Sequence, residues 1–400
     1  MTRRRSLNGR LVPGRAASRA FGVGGACFDG RMDVQARLRR EGQAIVATAV
    51  SFVAAAIVAV PVLQGAPRPL SGDGSLSTPA AVIAGVTAAL AFAVSAVRHH
   101  RGETAAMPRW QATVSNVSAV ALAVAIGAVT GYAVLLAGAV LATGFRGLEL
   151  SPLGGGLLTG AMAAAGGRAG FLAGVGLRTR DLSALLFAFL AIGTLFAMLT
   201  ASDPRWWERN FSQLGIGPGG WAFNGTLVVA GLLVATVGSY IGRDLHRLCG
   251  DPDIGRIGRT VVLWALAGAA LAGTGTTPLP SEIATASAAD PPSVGGATDV
   301  RTIVHLAFAL AALVLFAAAT VQTVRVLPRR PRFLGVTLGG LLVVLTAGIL
   351  LWWPVGFATA TVFEGIAVGL GLLGMTTIVR VLAILAPETS RVSARPHLRA

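Results

Sequence analysis

Long apolar runs recur along the chain, each near the length needed to cross a hydrocarbon core of about 30 Å, and short arginine-bearing links separate them. Helical spans are predicted at about 43–64, 79–97, 111–143, 153–177, 182–201, 221–241, 260–276, 301–324, 333–353 and 361–386. The runs are continuous, whereas the strands of a transmembrane β-barrel alternate in segments of about 10 residues, so a barrel is not expected. The predicted fold class is all-α: a polytopic transmembrane helical bundle of about ten spans.

Composition agrees. Of 400 residues, 54% are hydrophobic and only 12% charged, against roughly 25% charged in soluble domains, so lipid must solvate much of this surface. The net charge of +16 invites a nucleic-acid reading, but all 33 basic residues are arginine and most sit in the links. That distribution follows the positive-inside rule rather than a basic binding face. Membrane lipid is the expected partner and nucleic acid is not; no protein partner is specified. From Met32 onward, a cytoplasmic N-terminus puts 19 arginines in the inner links and 5 in the outer ones, which predicts both termini inside. The Ala, Val, Gly and Arg bias suggests a GC-rich bacterial genome, hence a multi-pass protein of the bacterial plasma (inner) membrane. Cys27 and Cys249 fall in no predicted external loop, so no disulfide framework is implied.

Charge also decides the segment 153–177, which is glycine-rich and carries Arg168. Without it the link Arg178–Asp181 would fall outside and every later loop would invert. Its glycines recur at four-residue spacing (Gly156 and Gly160; Gly166, Gly170 and Gly174), which lets helix backbones approach closely in lipid. The same spacing at Gly335 and Gly339, and at Gly365 and Gly369, predicts packing there too. Arg168 is an intramembrane charge with two readings: it finds backbone carbonyls or a lipid phosphate, or the span is shorter or re-entrant and Arg168 snorkels inward. Arg380 reads as a snorkelling anchor.

The organisation expected is an Arg- and Gly-rich extension over 1–31, disordered or upstream of a true start at Met32; a four-span module over 32–178; a six-span module over 179–387; and a cytoplasmic tail over 388–400. The external loop Thr274–Asp299, rich in Pro, Ser, Thr and Ala, is expected to be mobile.

One external stretch stands out, "SDPRWWERNFSQLG" from Ser202 to Gly215. Asp203 followed by Pro204 reads as a helix N-cap with proline at the first position. Trp207, Phe211 and Leu214 would share one face, with Arg205, Arg209 and Ser212 opposite. The expectation is an interfacial amphipathic helix over 203–214 whose tryptophans sit at headgroup depth. Alternatively Trp206, Glu208 and Asn210, off the stripe, roof a pocket. Polar groups in spans are costly and often functional, and Asn224, His305 and Glu364 all fall near the outer ends of their spans. The ligand-pocket candidates are therefore Asp203, Trp206, Glu208, Asn210, Asn224, His305 and Glu364. His305 is the one histidine in an apolar run, so a metal set is not expected. No nucleophile elbow, P-loop or dinucleotide fingerprint occurs, and no catalytic residue or cofactor is assigned.

The stretch just quoted, followed by "WAFNGTLVVAGLL", "IVHLAFALAALVLF" and "FEGIAVGLGLL", resembles a bacterial six-span membrane protein family of unknown function, the DUF998 type, and is loosely similar to the DRAM/Sfk type, over about residues 180–386. The matching positions are Asp203, Trp207, Ser212, Gly215, Phe223, Asn224, His305 and Glu364. The resemblance implies a six-span unit and no activity. The leading expectation is a non-enzymatic membrane protein that binds, senses or moves a lipid or small hydrophobic ligand through an outward-facing pocket. Two alternatives stay open: a membrane-embedded enzyme acting on a lipid headgroup through His305 with Glu364 or Asp203, and a structural subunit of a membrane complex.

Overall fold

The computed structural model describes residues 22–100, 109–280, 300–328, 330–353 and 355–386. The backbone forms two compact units, Met1–Val46 and Ala47–Ala400. In the first, the described residues are the leading part of helix α1 (Gly22–Val62). The helix therefore begins upstream of Met32, inside the expected extension; residues 1–21, and the tail after 386, lie outside the described residues.

The second unit carries the rest of α1 and α2 (Ser77–His100), α3 (Arg109–Gly144), α4 (Pro152–Gly176), α5 (Thr179–Leu199), α6 (Gly220–Cys249), α7 (Ile254–Thr276), α8 (Val300–Val326), α9 (Arg332–Trp352) and α10 (Ala360–Leu385). Every predicted span corresponds to one of these helices. A two-residue ribbon, β1 (Arg68–Pro69) with β2 (Glu149–Leu150), pairs antiparallel with Arg68 opposite Leu150. Ends follow local chemistry. Ser151 accepts the Gly154 N–H at 3.3 Å and Pro152 opens α4. The Asp181 carboxylate accepts the Arg178 N–H at 3.1 Å at the start of α5, and Thr359 caps α10 through the Val362 N–H at 3.3 Å.

Among the described residues, nine helices are long and apolar enough to cross a membrane; α4 is not one of them. It has the length, at 25 residues, but its glycines and Arg168 lower its hydropathy. Its small residues serve packing instead. A Cβ on Gly156 would stand 2.4 Å from Val60 Cγ2, and one on Gly170 would stand 2.4 Å from the Ala88 carbonyl oxygen, so α4 lies against α1 and α2 with backbones in near contact. Arg168 is half-buried in α4 and has an interaction partner. The corresponding expectation fails at Gly335, Gly339 and Gly369, where an added Cβ meets nothing within 4 Å, while Gly365 faces only the Phe211 ring at 3.6 Å. Spacing marks a smooth helix face but cannot say whether another helix lies on it.

The core runs through α5, α6 and α7. Gly231 and Gly268 oppose each other where α6 crosses α7: a Cβ on either would stand 2.3 Å from the other's carbonyl oxygen. Trp264 is fully buried between them and α8, its indole N–H donating to Thr323 Oγ1 at 3.0 Å. Helix α3 packs on α5 and α6, and the Tyr132 hydroxyl donates to the Ala222 carbonyl at 3.0 Å. Within Ala47–Ala400, α3 therefore touches α2 and α4 on one side and α5 and α6 on the other. Around this core, α8 and α9 have only 11% of their most apolar windows buried. Val336, Leu342 and Val343 are among the side chains they leave exposed, a surface that only lipid solvates well.

Candidate functional site

Between α5 and α6 the chain closes one end of the bundle with a short loop, and this is the stretch the sequence singled out. It is not one helix. Two 3-10 turns, Trp206–Glu208 and Phe211–Gly215, are separated by a break at Arg209 and Asn210. Asn210 is extended, with φ −164° and ψ 164°, so the Phe211 N–H finds no carbonyl one turn back. Asp203 does act as a cap, but of a turn: its Oδ1 accepts the Arg205 N–H at 2.8 Å. The tighter 3-10 winding and the break also reverse the expected facing of the tryptophans. Trp206 turns inward and packs on Phe211, ring centroids 5.3 Å apart, while Trp207 is 54% exposed.

Three side chains from three membrane helices grip the second turn. Glu364, on the first turns of α10, accepts the orphaned Phe211 N–H on Oε2 at 2.7 Å. His305, 3% exposed on the second turn of α8, sits 2.9 Å from Ser212 Oγ through Nε2. Its Nδ1 lies 2.7 Å from the Thr277 carbonyl oxygen, just past the end of α7. A carbonyl can only accept, so Nδ1 carries the proton there, and in the neutral imidazole Nε2 offers its lone pair to the Ser212 hydroxyl. Asn224, on the first turn of α6, donates from Nδ2 to the Gly215 carbonyl at 2.9 Å. The loop is clasped at adjacent residues, 211 and 212, by two ionisable groups, one from α10 and one from α8.

Two acceptors are left over. Asn210 Oδ1 is buried with no hydrogen-bond partner; native structures seldom tolerate that without a water, ion or ligand. Among the described residues, nothing donates to the second oxygen of Glu364. Of the candidate residues, Asn210, Asn224, His305 and Glu364 therefore converge on one strip of backbone, and Trp206 packs beneath it. Asp203 and Glu208 do not join them: the first caps its own turn and the second is exposed. The direct pairing of His305 with a carboxylate, expected of an acid–base couple, is absent among the described hydrogen bonds; its partners are a hydroxyl and a carbonyl.

Thr277 is a contributor that the sequence does not single out, and Ser212 stands there only as a matching position of the family resemblance, outside the pocket candidates. Helical spacing puts Ser212 on the polar face of the expected helix, and its immediate neighbours do not distinguish it from a solvated serine. Thr277 acts through its backbone, which no side-chain pattern reveals. Chemically, the Ser212–His305 pair has the geometry of a nucleophile beside a base whose other nitrogen is held in place, and the Glu364 and Asn210 oxygens suit a donor-bearing head group.

Comparison with known proteins brings in the region that builds this site. Residues 182–384 match the family described as "Protein of unknown function (DUF998)". No curated protein and no solved structure matches the chain.

Proposed function

The chain belongs to the DUF998 family of unknown function, and from that premise we propose that this integral membrane protein binds the polar head of a lipid or small amphiphile under the loop 202–219. The observation that carries the reading is the convergence of Glu364 and His305 on Phe211 and Ser212. Ionisable groups in membrane helices are expensive to keep, and a loop could be anchored more cheaply with apolar contacts. The free oxygens of Glu364 and Asn210 favour a head that donates hydrogen bonds, an ammonium or a hydroxyl. We place this end on the outer face of a bacterial plasma membrane with both termini cytoplasmic, supported by the bias of 19 inner to 5 outer arginines.

A second reading rests on one specific feature, the 2.9 Å contact of Ser212 Oγ with His305 Nε2. There the Ser212 hydroxyl attacks an ester carbonyl of the bound amphiphile. Its proton passes to Nε2 and on to the leaving alkoxide, and water then hydrolyses the acyl-serine. One set of variants tests both. Lipid extracts of the purified wild-type protein should hold one amine- or hydroxyl-headed amphiphile near stoichiometric amount, reduced at least tenfold in Glu364→Ala and in His305→Ala; identical extracts from all three sink the binding reading. Labelling by a fluorophosphonate that vanishes in Ser212→Ala and His305→Ala would establish the hydrolytic reading, and absence of labelling removes it.

A further inference from the structure

At the opposite end of α5 and α10 from the clasped loop, a groove of about 850 Å³ opens between the two helices. Its walls below the mouth are largely apolar, with Phe187 and Ala184 from α5 and Leu372 and Leu373 from α10. From Gly369 to Ile384 the groove follows α10 for roughly 22 Å at about 1.5 Å rise per residue. One leaflet's hydrocarbon is about 15 Å deep, half of a core of about 30 Å, so the groove accommodates a single leaflet's chain with its head group rather than a spanning helix.

The mouth is charged. Arg180, Asp181 and Arg380 line it, two positive groups and one negative, for a formal surplus of +1. The negative one is already committed: Asp181 Oδ2 accepts the Arg178 N–H at 3.1 Å and Oδ1 stands 3.4 Å from Arg180 Nε. The terminal nitrogens of Arg180 have no described partner, and Arg380, exposed on α10, has no hydrogen bond or ion pair among the described residues. A cationic mouth above an apolar trough complements an anionic head carrying an acyl chain. Guanidinium groups are suited to a phosphate, which they hold through paired N–H donors.

We propose that the α5–α10 groove is a binding site for an anionic phospholipid, its phosphate held by Arg180 and Arg380 and one acyl chain laid along Phe187, Leu372 and Leu373. This site is separate from the clasped loop and does not depend on the function assigned there. Full-length protein in nanodiscs of equal phosphatidylglycerol and phosphatidylcholine with matched chains, extracted into detergent and examined by native mass spectrometry, should retain phosphatidylglycerol in preference. Arg380→Gln should cut that preference about fivefold, consistent with one arginine's interaction near an anionic surface, and Arg380→Lys should restore most of it. Gly369→Trp, at a position where an added side chain meets nothing within 4 Å, should reduce retention of both lipids without lowering the melting temperature. An unchanged lipid ratio in Arg380→Gln overturns the proposal. So does unchanged retention in Gly369→Trp, or a dimer that replaces lipid in the groove.

Discussion

Glu364 gives one oxygen to a backbone amide left unpaired by the break at Asn210. Truncation to alanine should strand the Phe211 N–H and loosen the loop by about 1–3 kcal/mol, the usual range for an orphaned buried donor. Glu364→Gln keeps an acceptor in place and should recover most of that. Hydrogen exchange is the direct measurement: amides 210–216 should exchange at least tenfold faster in Glu364→Ala, with those of Gly231–Val237 unchanged. Equal protection in both proteins would mean the contact holds nothing. At this scale the sequence was informative about which residues are costly and silent about what they touch. Asn224, His305 and Glu364 were recognisable because carboxylate, imidazole and amide groups inside the predicted apolar runs are few. Ser212 was legible only as a position of the family resemblance, because the chemistry of a serine in a loop does not show until an imidazole stands beside it.

For the elements, the extent of each helix was legible and its contacts were not. Hydrophobic length is a property of contiguous residues, so the predicted spans and the observed helices agree closely along the chain. The loop 203–214 went differently: helical spacing was present in the sequence, yet the segment winds as 3-10 turns because Glu364 and His305 reward an arrangement that breaks it. Glycine spacing misled in the same way. It reads alike on α4, where neighbours press on it, and on α9, where they do not. That contrast is testable. Gly268→Ala drives a methyl into the Gly231 carbonyl and should cost about 1–3 kcal/mol, as overpacking does; Gly335→Ala, with open space around it, should leave stability unchanged or raise it by up to about 1 kcal/mol through helix propensity. Melting in mild detergent compares the two, and equal effects would disprove the close crossing of α6 on α7.

At the scale of the molecule, the arginine bias carries a statement about sidedness that can be checked directly. In a background of Cys27→Ser and Cys249→Ser, a cysteine introduced at Trp207 should react with an impermeant maleimide on intact cells, and one at Arg330 only after permeabilisation. The reverse pattern would invert the bundle and move the clasped loop to the cytoplasmic face.

The sequence by itself determined that the chain is a multi-helix membrane protein, where its helices run, and which few polar groups lie near one end. These follow from local hydrophobicity and charge, which need no knowledge of neighbours. Only the tertiary structure decided that Glu364 reaches Phe211 and His305 reaches Ser212, across 153 and 93 residues of chain. Those contacts depend on how α8 and α10 are rotated against α6 and α7, and that rotation is set by side-chain packing across the whole bundle rather than by any one segment.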